Sequence, residues 1–166
     1  MRNRMKKRTN GQALVEFALA STIIFFMLSA TVDLGLIFLN LQGVRAAAQE
    51  GATFGSFVVD NVINQTEIRN RTRLSLGTAP PAFTNLLDLN SDGINDSTQA
   101  TILTSYITVE TVYANGTIAC TAAQIAAKTN CSIKVTVYYD YKIFFPFTPA
   151  FADKVKLRAA LMMPLR

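Results

Sequence analysis

One apolar run limits what this chain can fold into. It reads Phe17-Ala-Leu-Ala-Ser-Thr-Ile-Ile-Phe-Phe-Met-Leu-Ser-Ala-Thr-Val32, then a single acid, Asp33, then Leu34-Gly-Leu-Ile-Phe-Leu39. A helix rises about 1.5 Å per residue, so the run is long enough to cross a hydrocarbon core of about 30 Å. Ahead of it lie Arg2, Arg4, Lys6, Lys7 and Arg8, with no acid among them. Lys and Arg beside a spanning helix hold that end in the cytoplasm, which sends everything after about Asn40 outside. Glu16 stands at the mouth of the run, five residues past Gly11. A carboxylate at the centre of a bilayer costs roughly 2.5–3.5 kcal/mol or more, so this acid calls for a partner.

The five basic residues of the tip account for the formal charge of +5; the other eleven Lys and Arg balance eleven Asp and Glu. Basicity therefore lies in the tip and not on a domain face, which argues against nucleic-acid binding. An ordinary secretory signal is the simpler explanation of the run. Against it, the run continues well beyond a normal apolar region. The nearest candidate cut, Ser29-Ala30, also has Leu28 where a small residue is wanted.

Beyond Asn40, Gly43, Ala47, Gly51 and Gly55 recur every fourth residue. On a helix they form one stripe that lets another backbone approach closely. That stripe is either a packing face, for the chain's own domain or a neighbouring subunit, or a set of breaks that divides the helix. Cys120 and Cys131 are the two cysteines. Outside the cytoplasm they can close a short loop as a disulfide, worth roughly 3 kcal/mol; the alternative is two buried thiols.

Three blocks in order carry a resemblance: Gly11-Gln12-Ala13-Leu14-Val15-Glu16-Phe17, then Asp33-Leu34-Gly35, then Ala47-Ala48-Gln49-Glu50-Gly51-Ala52. The first, between a short basic leader and an apolar helix, is similar to the processing site of type IV prepilins. Together the blocks resemble the TadE-like pseudopilins of tight-adherence (Flp) pilus systems, although Phe17 stands where many of them have Tyr. The resemblance implies cleavage between Gly11 and Gln12 by a prepilin peptidase. Glu16 would then be the fifth residue of the mature chain, placed to pair with the new α-amino group of a neighbouring subunit. Both charges would be satisfied only when subunits pack, which makes Glu16 and Phe17 assembly residues.

The organisation expected is a leader over 1–11, a membrane and assembly helix over 12–39 and an extracytoplasmic α+β domain over 40–166. The domain should hold a second, shorter helix and a small antiparallel sheet. Asn64 to Leu76 reads as that helix, with Arg69, Arg71 and Arg73 as a solvated face and Gly77 and Pro80-Pro81 ending it. Ile102 to Tyr113, Ile133 to Phe145 and Val155 to Met163 read as strands, with a turn at Asn115-Gly116 and stops at Pro146 and Pro149.

The segment Asp88-Leu-Asn90-Ser-Asp92-Gly93-Ile94-Asn-Asp96 has oxygen donors at positions 1, 3, 5 and 9 and glycine at 6. That is the front of a calcium loop, with Ile94 offering its backbone carbonyl. Position 12 is Gln99 and not a bidentate Glu. A weak extracellular site, roughly 10⁻⁴–10⁻³ M, is one reading; a polar surface turn is the other. No cofactor is required, and calcium, if bound, is structural.

The chain contains no His, so neither a Ser-His-Asp nor a Cys-His arrangement can form. Glu110, Asp140 and Asp153 read as surface acids. The function expected is a non-enzymatic minor pilin or pseudopilin subunit. Its partners would be the membrane, a prepilin peptidase, other pilin subunits and the assembly platform. It would sit in a bacterial-type cytoplasmic membrane, with the domain outside or in an extracellular pilus. The alternative is an uncleaved, single-pass anchored binding protein.

Overall fold

The structure, a computed structural model, describes residues 10–57, 63–75, 84–113, 116, 118–144 and 153–166. The basic leader expected before residue 10 lies outside these residues. So do Gly77, Pro80, Pro81, Asn115, Phe145, Pro146 and Pro149, named above as helix, turn or strand punctuation.

Helix α1 runs unbroken over Asn10–Ser56, 47 residues. It is followed by α2 (Gln65–Leu74), a 3-10 turn (Asp96–Thr98), α3 (Ala100–Tyr106), β1 (Ile107–Tyr113), α4 (Ala122–Ala127), β2 (Cys131–Lys142) and β3 (Lys154–Pro164). The three strands form one antiparallel sheet in the order β1-β2-β3. The fold is α+β: a long N-terminal apolar helix, shorter helices and a small sheet.

Strand periodicity explains the sheet. On β2, Cys131, Ile133, Val135, Val137, Tyr139 and Tyr141 alternate onto one buried face. In register beside them stand Ile107 and Val109 of β1 and Leu157, Ala159 and Leu161 of β3. The C-terminal half of α1 crosses this face, burying Val44, Ala47, Ala48 and Ala52 in a common core with Ile133, Val135 and Val137. A two-sided antiparallel sheet of this kind needs such a cover on one face.

Small residues set how closely the helix lies. A Cβ at Gly43 would meet Thr84 Oγ1 at 2.6 Å, one at Gly51 would meet Thr72 Oγ1 at 2.0 Å, and one at Gly55 would meet Ile133 Cδ1 at 2.5 Å. The stripe thus faces the chain's own domain. Cys120 and Cys131 are joined as a disulfide. The loop they close contains α4, started by a capping box in which the Thr121 hydroxyl accepts from Gln124 N–H and the Gln124 side chain accepts from Thr121 N–H.

Two local expectations are corrected. Ile102 to Tyr106 is helix and not strand: the hydroxyls of Thr104 and Ser105 bond back to carbonyls of the preceding turn, and Leu103 is the buried residue. The three arginines of α2 are not a solvated face. Arg73 is buried, Arg69 donates through Nε to Ile107 O at 3.0 Å, and only Arg71 is exposed, its guanidinium 5.1 Å from the Phe54 ring centre. Helix α2 starts at its cap Asn64, whose side chain accepts from Glu67 N–H, and Leu74 at its end is partly exposed.

Candidate assembly face on the N-terminal helix

The domain covers α1 only from Asp33 onward. Before that, Leu14, Val15, Phe17, Leu19, Ile23, Ile24, Phe25, Met27, Leu28 and Val32 are all exposed. They point in every direction around the helix. A helix that is apolar all round is built for lipid or for the interior of an assembly. By length and composition α1 can cross a membrane. Three of its hydroxyls are satisfied within it. Ser21 and Thr22 donate to Ala18 O, and Thr31 donates to Met27 O, at 2.8–3.0 Å. Side chains that close on their own backbone leave no unmet donor in hydrocarbon.

Gly11 and Gln12, at the expected cut, lie in the exposed first turns of α1. Gln12 Nε2 donates to Glu16 Oε1 at 2.9 Å, one turn further on. Gln12 and Glu16 therefore share a face, and the Glu16 carboxylate points back toward the helix start. Phe17 beside it is among the most exposed apolar residues of the segment.

Asp33 marks the other end. It is buried, and one carboxylate oxygen accepts from Phe144 N–H at 3.1 Å, with the Tyr141 hydroxyl at 3.5 Å. The seventeen residue steps from Glu16 to Asp33 rise about 26 Å. Leu34, Phe38 and Leu39 continue the apolar surface on the side of α1 turned away from the domain.

Tyr141 and Tyr106 are the tyrosines whose ionisation the fold suppresses. Burial, then the Asp33 charge, pushes Tyr141 up from its ordinary value. Burial, then a hydrogen bond to Asp140 Oδ2, pushes Tyr106 up to about 12. A phenol raised above its unfolded value of about 10 stabilises the fold below that pH, and this contribution fades as pH rises from about 10 to about 12. In an alkaline titration followed by tyrosinate absorbance, the last step is expected to disappear in Tyr106→Phe. An unchanged profile would refute the assignment.

Asp140 departs from its surface reading. Its side chain is mostly buried, holds Tyr106 and lies 3.7 Å from Lys156 Nζ. Sequence spacing carries no signal for this, because Tyr106 and Asp140 lie on different elements. Asp88, Asn90, Asp92, Ile94 and Asp96 share one loop, with Asp96 buried beneath it. Among the described residues, no group of three or more His, Cys, Asp and Glu side chains is arranged to hold a metal ion.

The arrangement defines a class: a domain fastened to the distal half of a single helix whose proximal half is bare and apolar. Residues 11–53 match the family model described as TadE-like protein. No curated protein and no solved structure matches the chain. The match lies wholly within α1 and covers about a quarter of the chain.

Proposed function

We propose that this protein is a minor pilin or pseudopilin of a tight-adherence pilus or a related secretion system. In this reading it is cleaved after Gly11 by a prepilin peptidase and built into the assembly through the proximal half of α1. The observation that carries it is the bare apolar segment with Glu16 exposed one turn from Gln12. Once the bond after Gly11 is cut, Gln12 carries an ammonium group. In a low-dielectric surrounding that charge and a neighbour's Glu16 stabilise each other far more than they would in water. No catalytic step is assigned, and the chain acts as a structural subunit. The domain faces the extracytoplasmic side, where its disulfide persists.

The test is the intact mass and N-terminal residue of the protein recovered from its own membranes. A start at Gln12 supports the proposal. An intact Met1 refutes processing and leaves the uncleaved anchored binding protein as the better account.

A further inference from the structure

Apart from the pilus reading, the loop between α2 and α3 has its own chemistry. Asp88 accepts N–H bonds from Asp92 and Gly93 at 3.1 and 2.9 Å, and Asp92 accepts from Ile94 N–H at 2.8 Å. Asn90 Oδ1 accepts from Asp92 N–H at 3.1 Å. These bonds wrap the loop around its own carboxylates. A carboxylate has about four acceptor positions, so each of them retains spare capacity.

Asp96 is the telling residue. It is 0 % exposed, and its Oδ2 accepts from Leu89 N–H, inside the loop, at 2.7 Å. Its other oxygen, Oδ1, is buried with no hydrogen-bond partner. Leaving a buried acceptor unmet is costly, more so for a charged group. A buried carboxylate with one unmet oxygen, set beneath a loop that carries Asp88, Asn90 and Asp92, is an arrangement that a cation relieves. The bond to Leu89 accounts for one oxygen of Asp96 and leaves the other unmet.

We propose that this loop binds one calcium ion through Asp88, Asn90, Asp92, the Ile94 carbonyl and Asp96. The donors are all oxygen, as calcium requires, and mix carboxylate, amide and carbonyl. The missing acid at position 12, Gln99, makes the site weak. Its structural consequence is a docked loop. Ser91 Oγ donates to Asp140 O, Asp140 N–H donates to Leu89 O at 2.9 Å, and Lys154 Nζ donates to Asn90 O at 2.7 Å. The ion would thus fasten the loop to β2 and to the start of β3.

The test is calorimetric titration of the full-length chain, in detergent and stripped of metal, with calcium chloride. One saturable site is expected, with a midpoint of about 10⁻⁴–10⁻³ M. Asp92→Asn, at an exposed position, and Asp96→Asn should each weaken it by at least about tenfold. Circular dichroism without calcium should match the parent chain for Asp92→Asn, which keeps the result readable even if Asp96→Asn misfolds. No saturable heat up to about 10 mM calcium, or an unchanged midpoint in Asp92→Asn, overturns the proposal. So does an equal midpoint with magnesium chloride.

Discussion

Gly51→Ala is expected to destabilise the fold by about 1–3 kcal/mol, although Ala is the better helix former by about 1 kcal/mol. The new Cβ would sit 2.0 Å from Thr72 Oγ1 and 3.3 Å from Val135 Cγ1. Thr72 cannot easily yield, because it is fully buried and its hydroxyl is bonded to Ile68 O at 2.8 Å. Helix α2 or the sheet would have to move instead, and packed interiors resist that. Two companion variants isolate the cause. Thr72→Ala in the Gly51→Ala background removes the offending hydroxyl and should recover much of the loss. Gly35→Ala meets nothing within 4 Å and should be neutral or slightly stabilising. Denaturant unfolding of the full chain in detergent reads all three. If Gly51→Ala and Gly35→Ala behaved alike, the close approach of α1 to α2 would be wrong.

Glu16→Ala should leave the domain as stable as the parent chain and reduce incorporation into the pilus by an order of magnitude or more. The first half follows from geometry: Glu16 is exposed, about 26 Å along the helix from Asp33, and its hydrogen-bond partner is Gln12. The second half follows from the proposed pairing. Removing one member of a desolvated ion pair leaves the other charge buried alone, typically a loss of about 3–5 kcal/mol. The measurement is the ratio of this protein in sheared pili to that in membranes, with N-terminal sequencing of both fractions. Normal incorporation of a correctly cleaved Glu16→Ala chain would remove Glu16 from assembly.

The sequence made the proximal helix legible because its constraints are local. An apolar run, an isolated acid and a glycine need no tertiary context to be read. Strands β2 and β3 were legible for the same reason, since residues 131–142 alternate with period two and one sheet face is covered. The start of β1 was not. Ile102, Thr104 and Tyr106 also alternate, but Leu103 is the residue that fills the core, and hydroxyls bonding back to the helix satisfy the rest. Arg73 does not follow its charge: it is buried as far as the guanidinium Nε, which residue type and spacing on α2 do not foretell. The glycine stripe could be placed on a face from spacing, but which surface it met depended on Thr72, Thr84 and Ile133, far away in sequence.

Because α1 is one uninterrupted helix, the stem and the head share a single rotational frame. At 3.6 residues per turn, the direction of Glu16 differs from that of Asp33 by about 100° around the axis. Asp33 is fixed under the domain by Phe144 and Tyr141. The helix acts as a torsion shaft: whatever contact sets the azimuth of Glu16 also aims the sheet. Any packing of stems would then array the heads in one defined direction, with no hinge between them to lose it.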